Sequence, residues 1–470
     1  MTWADMTWTE RAVLSTAARH QVDAIIAEPE DRAPVIIAGV VHDGALIHVT
    51  GRGEVPADTD DTDDTDDMAD AQSRIGSISK TFTAALVLAL RDDGAIESLD
   101  DPIGAYLPEL PGRVGSLSLR RLLDHTAGLC REPSGAWWER NPGVPIEDLV
   151  AQISPEAAIH LPGRTYHYSN LAYGLLGAAT AAASGMSWAD LLRERLLAPL
   201  GMDRTTYAPV EPYLPGYVLH PSTGARREEP REDARSMAPA GQLWSTIADL
   251  ARWAAFIADP EGGKIAGVLD PQTVEEACVP TVVIDHDTWS SGHSLAFQMW
   301  RAGDRVYLGH TGSMPGYLSV LMVHRPSRTG VVAFANAYSL GEQSIYRLGR
   351  DLLTAVLDGT EPARTAVPAT RPPSPGGAAA ELAPLLGTWW WMGIRYDAYA
   401  DDDELAIVEA ERPYLTPWRF THERGDVWRC HSGDNDGEAL TVLRDAEGLP
   451  EALDIATFVL LRDDWPTTVR

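Results

Sequence analysis

The chain has 470 residues, 44% of them apolar, and a mean hydropathy of -0.16, as expected of a soluble globular protein too long for one ordinary core. Its formal charge of -30 excludes a nucleic-acid binder, which needs patches of Lys and Arg against phosphate, and argues equally against an anionic membrane surface. The three cysteines, Cys130, Cys278 and Cys430, are odd in number and widely spread, so they form neither a disulfide framework nor a zinc pattern and fit a reducing compartment.

The N-terminal "MTWADMTWTERAVLSTAARHQ" has no basic segment followed by an apolar run, so no signal peptide is read, and the expected location is cytoplasmic. Glu10 to Ala27 reads as an amphipathic helix. "PVIIAGVVHDGALIHVTGRGEV" reads as two strands around an Asp43-Gly44 turn. The acidic run "ADTDDTDDTDDMAD", from Ala57, lacks the glycine and spacing of a calcium loop and reads as a solvated, mobile loop. Helical periodicity then dominates from Ser77 to about Ala258. The longest apolar stretch, near Leu86 to Leu90, is far too short to cross a bilayer. Strand signals return from Thr281 to Ala337, and a helical stretch covers Glu342 to Leu357. Strands at both ends with helices between them predict an α+β sheet domain carrying a helical subdomain. "TAVPATRPPSPGGAAA" reads as a linker, and the short strand segments beyond it predict a small antiparallel barrel or sandwich. The expected organisation is residues 1–364, a linker at 365–380 and a barrel at 381–470.

Of 38 basic residues only two are lysines, Lys80 and Lys264. Lys80 follows Ser77 by three positions at the head of an apolar helix, so both side chains share a face. A serine hydroxyl needs a base to become a nucleophile, and lysine can serve where arginine cannot. S-x-x-K alone arises by chance in roughly one such chain in ten, and a helix cap beside a solvated lysine explains it equally well. Tyr168-Ser169-Asn170, ahead of another apolar helix, offers a phenol that a nearby cation would bring down toward use as a base, and an amide. By itself that is an Asn cap behind a packed Tyr. His310-Thr311-Gly312 lies in a strand-like stretch where Gly permits close backbone approach, and the N–H of Ser313 could hold an oxyanion. By itself that is a turn with a lone His.

Taken in order, Ser77-Ile78-Ser79-Lys80, Tyr168-Ser169-Asn170 and His310-Thr311-Gly312 resemble the S-x-x-K, Y-x-N and [KH]-T-G motifs of one serine hydrolase family. It includes class C β-lactamases, D-Ala-D-Ala carboxypeptidases, D-aminopeptidases, related esterases and penicillin-binding-protein-type thioesterases. "SLDDPIGAYLPELPG", "LSLRRLLDHTAGL", "LLAPLGMDRT" and "APAGQLWSTIADLARW" resemble it too, over about Ala33 to Leu357. The C-terminal part resembles, more loosely, the lipocalin-like barrel appended to some members. The resemblance implies a β-lactamase-like antiparallel sheet flanked by helices. It also implies an acyl-enzyme on Ser77, with Lys80 and Tyr168 sharing base and acid roles. Asn170 would position Lys80 and the substrate amide, His310, Thr311 and Gly312 would line the substrate, and the N–H groups of Ser77 and Ser313 would form the oxyanion hole. No metal or cofactor is implied. The substrate would be a small-molecule or peptide acyl compound, free or carrier-bound: an ester, thioester or peptide, including D-residues at the cleaved bond.

One departure counts. β-Lactamases usually carry Lys where this chain has His310, which is only partly charged near neutrality. That weighs against lactam hydrolysis, and the readings are an esterase or D-peptidase, a thioesterase that releases and cyclises a peptide, a β-lactamase, and a non-catalytic binding protein on the same fold. Trp137 and Trp138, in "EPSGAWWERNPG", could pack on an apolar acyl group or divide between core and surface.

Overall fold

The computed structural model describes residues 14–27, 33–56, 64–261, 268–341, 343–359, 382–412 and 415–463. Strands β1 (Ile36–His42) and β2 (Ala45–Arg52) form the hairpin that Asp43-Gly44 predicts, and both turn residues take positive φ, 45° and 81°. Far along the chain come β3 (Val282–Val283), β4 (Ser291–His293), β5 (Gln298–Ala302), β6 (Arg305–Met314), β7 (Tyr317–His324) and β8 (Thr329–Ala335). They join the hairpin in one eight-stranded sheet, ordered β2-β1-β8-β7-β6-β5-β4-β3. The register Ile36↔Ala335 to His42↔Thr329 closes the N-terminal hairpin onto the last strand. Everything between β2 and β3 is therefore one long insertion.

The apolar runs in β1 and β8 are buried on both faces, as a central strand requires. Ile36, Ala38, Val40, Val331 and Ala333 pack under helices α1 (Thr16–Ala27) and α6 (Ile345–Asp358). Their alternates Ile37, Val41, Val332 and Phe334 join the main core, with α3 (Ser79–Asp92) and α5 (Ile247–Ala258). Every residue of α3 from Ser79 to Leu90 is buried. Each of Phe82, Leu86 and Leu88 contributes roughly 1.5–3 kcal/mol by leaving water. Helix α4 (Asn170–Ser184) packs on α3; the Ser169 hydroxyl caps it by accepting from Ala172 N at 3.0 Å, and Gly185 ends it at φ 71°.

The acidic run departs from its expected loop. Residues 57–63 lie outside the described residues, but Asp64–Asp70 is helical, as α2. Met68 and Ala69 supply an apolar foot against the core, and Arg204 binds both the Asp70 carbonyl and its carboxylate. Acids early in a helix are also favoured by its dipole. Lys264 and the 365–380 linker lie outside the described residues.

The C-terminal segments close into a barrel of β9 (Gly387–Trp391), β10 (Ile394–Asp401), β11 (Glu404–Glu409), β12 (Trp418–Arg424), β13 (Val427–Cys430), β14 (Ala439–Arg444), β15 (Pro450–Ile455) and β16 (Phe458–Leu461). Its interior is filled by Trp389, Leu405, Phe420, Leu440, Leu453 and Ile455, so it is a packed core. Among the described residues no helix is long and apolar enough to cross a membrane.

Candidate functional site

Ser77 sits in a single 3-10 turn, Gly76–Ile78, that feeds α3, rather than in the first α-helical turn itself. The spacing still works: Lys80 Nζ lies 2.9 Å from Ser77 Oγ and donates to the Ala240 carbonyl at 2.6 Å. Lys80 is fully buried while Ser77 stays half-open. Burial pushes the Lys80 ammonium from near 10.5 down to about 7; Glu132 and Glu139 oppose this and Arg131 assists it. A large fraction of molecules thus carries a neutral amine at neutral pH, able to accept the serine proton. The Tyr168 phenol faces Ser77, whose hydroxyl favours its ionised form, and its ring centroid lies 5.0 Å from Lys80 Nζ. The three groups meet.

The Tyr168 phenol behaves opposite to the expectation drawn from nearby cations. Burial outweighs them and raises it above its ordinary value of 10. It stays protonated, so it is built to give a proton, while Lys80 is built to take one.

Strand β6 brings the third motif to the same place. Close approach fixes its glycines. A Cβ on Gly312 would lie 2.0 Å from the Ile75 carbonyl oxygen, and one on Gly76, whose φ is 50°, would lie 2.6 Å from Ser313 N. The backbone of Ser313 therefore abuts the residue preceding Ser77, where the second oxyanion donor was expected. Thr311 binds Gln298 Oε1 through its N–H at 3.1 Å and its hydroxyl at 3.2 Å. His310 is buried, donates from Nδ1 to the Thr311 carbonyl at 2.5 Å, and is held well below its ordinary value by burial and by Lys80. It is neutral, not the partly charged group expected.

Asn170 reaches the site but not as expected. Its Nδ2 donates to Glu132 Oε1 at 2.6 Å, and no hydrogen bond joins it to Lys80. Glu132 also accepts from Trp138 Nε1 at 2.7 Å. Trp138 is thereby part of the main core, and Trp137 packs against the barrel at 5.4 Å from Trp391. Both indoles are buried, which argues against an acyl-binding surface.

The residues that sequence reasoning passed over lie beside those tryptophans. Glu132 and Glu139 are buried within the field of Lys80, and burial raises them to about 7 and about 8. The Glu139 carboxyl accepts no hydrogen bond from the described residues. His125, at φ 59°, accepts from Ser169 N at 3.1 Å, and its carbonyl accepts from His167 N at 2.8 Å. His293 stands 5.0 Å from it, ring to ring. Together they fix the backbone on both sides of Tyr168. Cys130 is no nucleophile: its thiol donates to the Glu132 carbonyl, and burial raises it far above the ordinary thiol range. Among the described residues no cluster of His, Cys, Asp and Glu is arranged to hold a metal ion.

The Beta-lactamase family model matches residues 22–355, and a second model, "Domain of unknown function (DUF7586)", matches residues 378–462. Beta-lactamase-like protein 2 of Dictyostelium discoideum is 29% identical over 339 residues, 67% of this chain and 58% of that protein. D-alanyl-D-alanine-carboxypeptidase/endopeptidase AmpH of Escherichia coli (strain K12) is 30% identical over 261 residues, 52% of this chain and 66% of that protein. The chain spans less than two thirds of the length of either relative. The octameric penicillin-binding protein homologue from Pyrococcus abyssi shares the fold, with a TM-score of 0.63 over 95% of this chain and 99% of that one at 19% identity.

Proposed function

Because the chain belongs to the Beta-lactamase family, whose members include serine hydrolases, we propose that it is an acyl hydrolase or acyltransferase working through an acyl-enzyme on Ser77. The observation that carries the reading is the contact of Ser77 with a buried lysine lowered to about 7 on one side and a protonated phenol on the other. Neutral Lys80 takes the Ser77 proton as Oγ bonds to the substrate carbonyl carbon. The N–H groups of Ser77 and Ser313 hold the resulting oxyanion. Tyr168 gives its proton to the leaving group as the scissile bond breaks, and the Lys80 ammonium returns a proton to the phenolate. Water or an amine then attacks the acyl carbon by the reverse sequence.

The charges suggest the donor. Neutral His310 offers no permanent cation for a lactam carboxylate. Glu139 and Glu132 lie buried within the field of Lys80, and the Glu139 carboxyl, kept protonated near neutrality by burial, has a bond to spare and can pass its proton to a free amine next to the cleaved carbonyl. We therefore favour amides, peptides and esters of amino acids, D-residues included, a class in keeping with the name of AmpH.

Intact-mass spectrometry after brief incubation with p-nitrophenyl acetate tests this. One acetyl group on the wild type and none on Ser77→Ala is expected; no adduct on the wild type, or an equal adduct on both, overturns it.

A further inference from the structure

We propose that Glu438, in the C-terminal barrel, is a positioning residue for the Ser77 site, holding Tyr168 and Asn170 in place through His167 and the Arg131 peptide. The inference rests on the acyl-transfer reading above and gives a task to the domain matched only as one of unknown function.

The barrel anchors Glu438 firmly. Its N–H donates to the Asn435 carbonyl at 2.9 Å, and its carbonyl accepts from Cys430 N at 2.9 Å, just ahead of β14. Its side chain then leaves the barrel and is buried against the hydrolase part. Oε1 accepts the backbone N–H of Arg131 at 2.6 Å and lies 3.0 Å from His167 Nε2, a spacing that makes the imidazole the donor. Each contact is one step from the reacting groups. His167 immediately precedes Tyr168. The Arg131 carbonyl accepts Asn170 N at 2.8 Å and Leu171 N at 3.3 Å, at the start of α4. One carboxylate from the barrel therefore ties together the two segments that carry the second motif and Glu132.

Neighbouring contacts hold the same strap to the site. The Asp436 carbonyl lies 3.0 Å from His160 Nε2. Gly437 has φ 85°, and a Cβ there would stand 2.7 Å from that nitrogen, so only glycine lets the strap come this near. On the far side Trp391 packs at 5.1 Å from Tyr338, whose hydroxyl bonds the Ser313 side chain, and Phe458 lies 5.4 Å beneath the Arg131 guanidinium. His160 also packs at 5.2 Å from His167, so the control is Arg429, which holds the strap from within the barrel by donating to the Gly437 carbonyl at 3.0 Å and hydrogen-bonds to neither His167 nor Arg131.

The test uses the full chain and p-nitrophenyl acetate. Glu438→Ala should lower kcat by about 100-fold with KM within about threefold, since a misplacement of about 1 Å costs that much. Glu438→Gln keeps an oxygen for both donors and should recover to within about fivefold of wild type. Adding His167→Ala to Glu438→Ala should cost nothing further, because Glu438→Ala has already cut the link that His167 makes. Arg429→Ala, which loosens only the strap, should stay within about twofold. A Glu438→Ala enzyme with wild-type kcat overturns the proposal, as does an equal loss in Arg429→Ala. If Glu438→Ala does not fold, His167→Ala decides: a tenfold or greater fall in kcat at constant KM supports the link, and unchanged kcat refutes it. Failure of the wild type to acylate Ser77 would instead remove the underlying reading, and it is seen without any Glu438 variant.

Discussion

Replacing Lys80 by Arg separates a base from a fixed cation. An ordinary lysine is neutral in about one molecule in 3,000 at pH 7. Buried as it is and lowered to about 7, Lys80 is neutral in about half of them, a gain of about three orders of magnitude in competent base. Arginine keeps the charge and comparable length but is deprotonated in fewer than about one molecule in 100,000 at that pH. If Lys80 takes the Ser77 proton, Lys80→Arg should acylate at least about 1,000-fold more slowly, and Lys80→Met should be as slow. The wild-type kcat/KM should fall about tenfold per pH unit below about 7, because the protonated amine cannot act; neither variant should show that limb. Stopped-flow release of nitrophenol from p-nitrophenyl acetate between pH 5 and 9 reads all three. Retention of more than a hundredth of the acylation rate in Lys80→Arg with loss in Lys80→Met would make Lys80 a fixed cation and refute the assignment. So would a wild-type profile flat across that range.

Two further outcomes follow from the packing around Ser77. Glu139 rises to about 8 in the folded chain against an ordinary 4.5, so the folded state binds more protons than the unfolded one between those values and stability falls as pH rises through them; Glu139→Gln should therefore be more stable than wild type by about 4 kcal/mol at pH 8 and little changed at pH 4.5, as read by thermal unfolding. Gly76→Ala puts a Cβ 2.6 Å from Ser313 N at a positive φ, and should lower kcat more than KM while costing about 1–3 kcal/mol of stability, checked by kinetics and calorimetry.

What the sequence made legible was whatever local spacing encodes. Ser77 and Lys80 meet because three residues on a helical path bring side chains to one face, and Asp43-Gly44 makes its hairpin because the turn needs positive φ. Glu132 and Glu139 are not legible as buried acids, since an irregular loop has no period to show which of its residues are buried. The direction of Tyr168 was misjudged because a list of neighbouring charges leaves out desolvation, which here is the larger effect. The charge of the acidic run predicts a loop, and its helical end at Asp64–Asp70 depends on Met68, Ala69 and the distant Arg204, which local composition does not encode. Glu438 stands 307 residues from Arg131, beyond any local pattern.

The insertion between β2 and β3 has a consequence for biosynthesis. Val35 bonds to the side chain of Asn336, 301 residues downstream, so the central sheet cannot close until the ribosome has delivered that distant strand. Until then the turn bearing Ser77 has no platform beneath it, and the strap proposed to steady Tyr168 emerges later still. On the acyl-transfer reading proposed above, a nascent chain is expected to be inert through most of its translation and to gain reactivity only late.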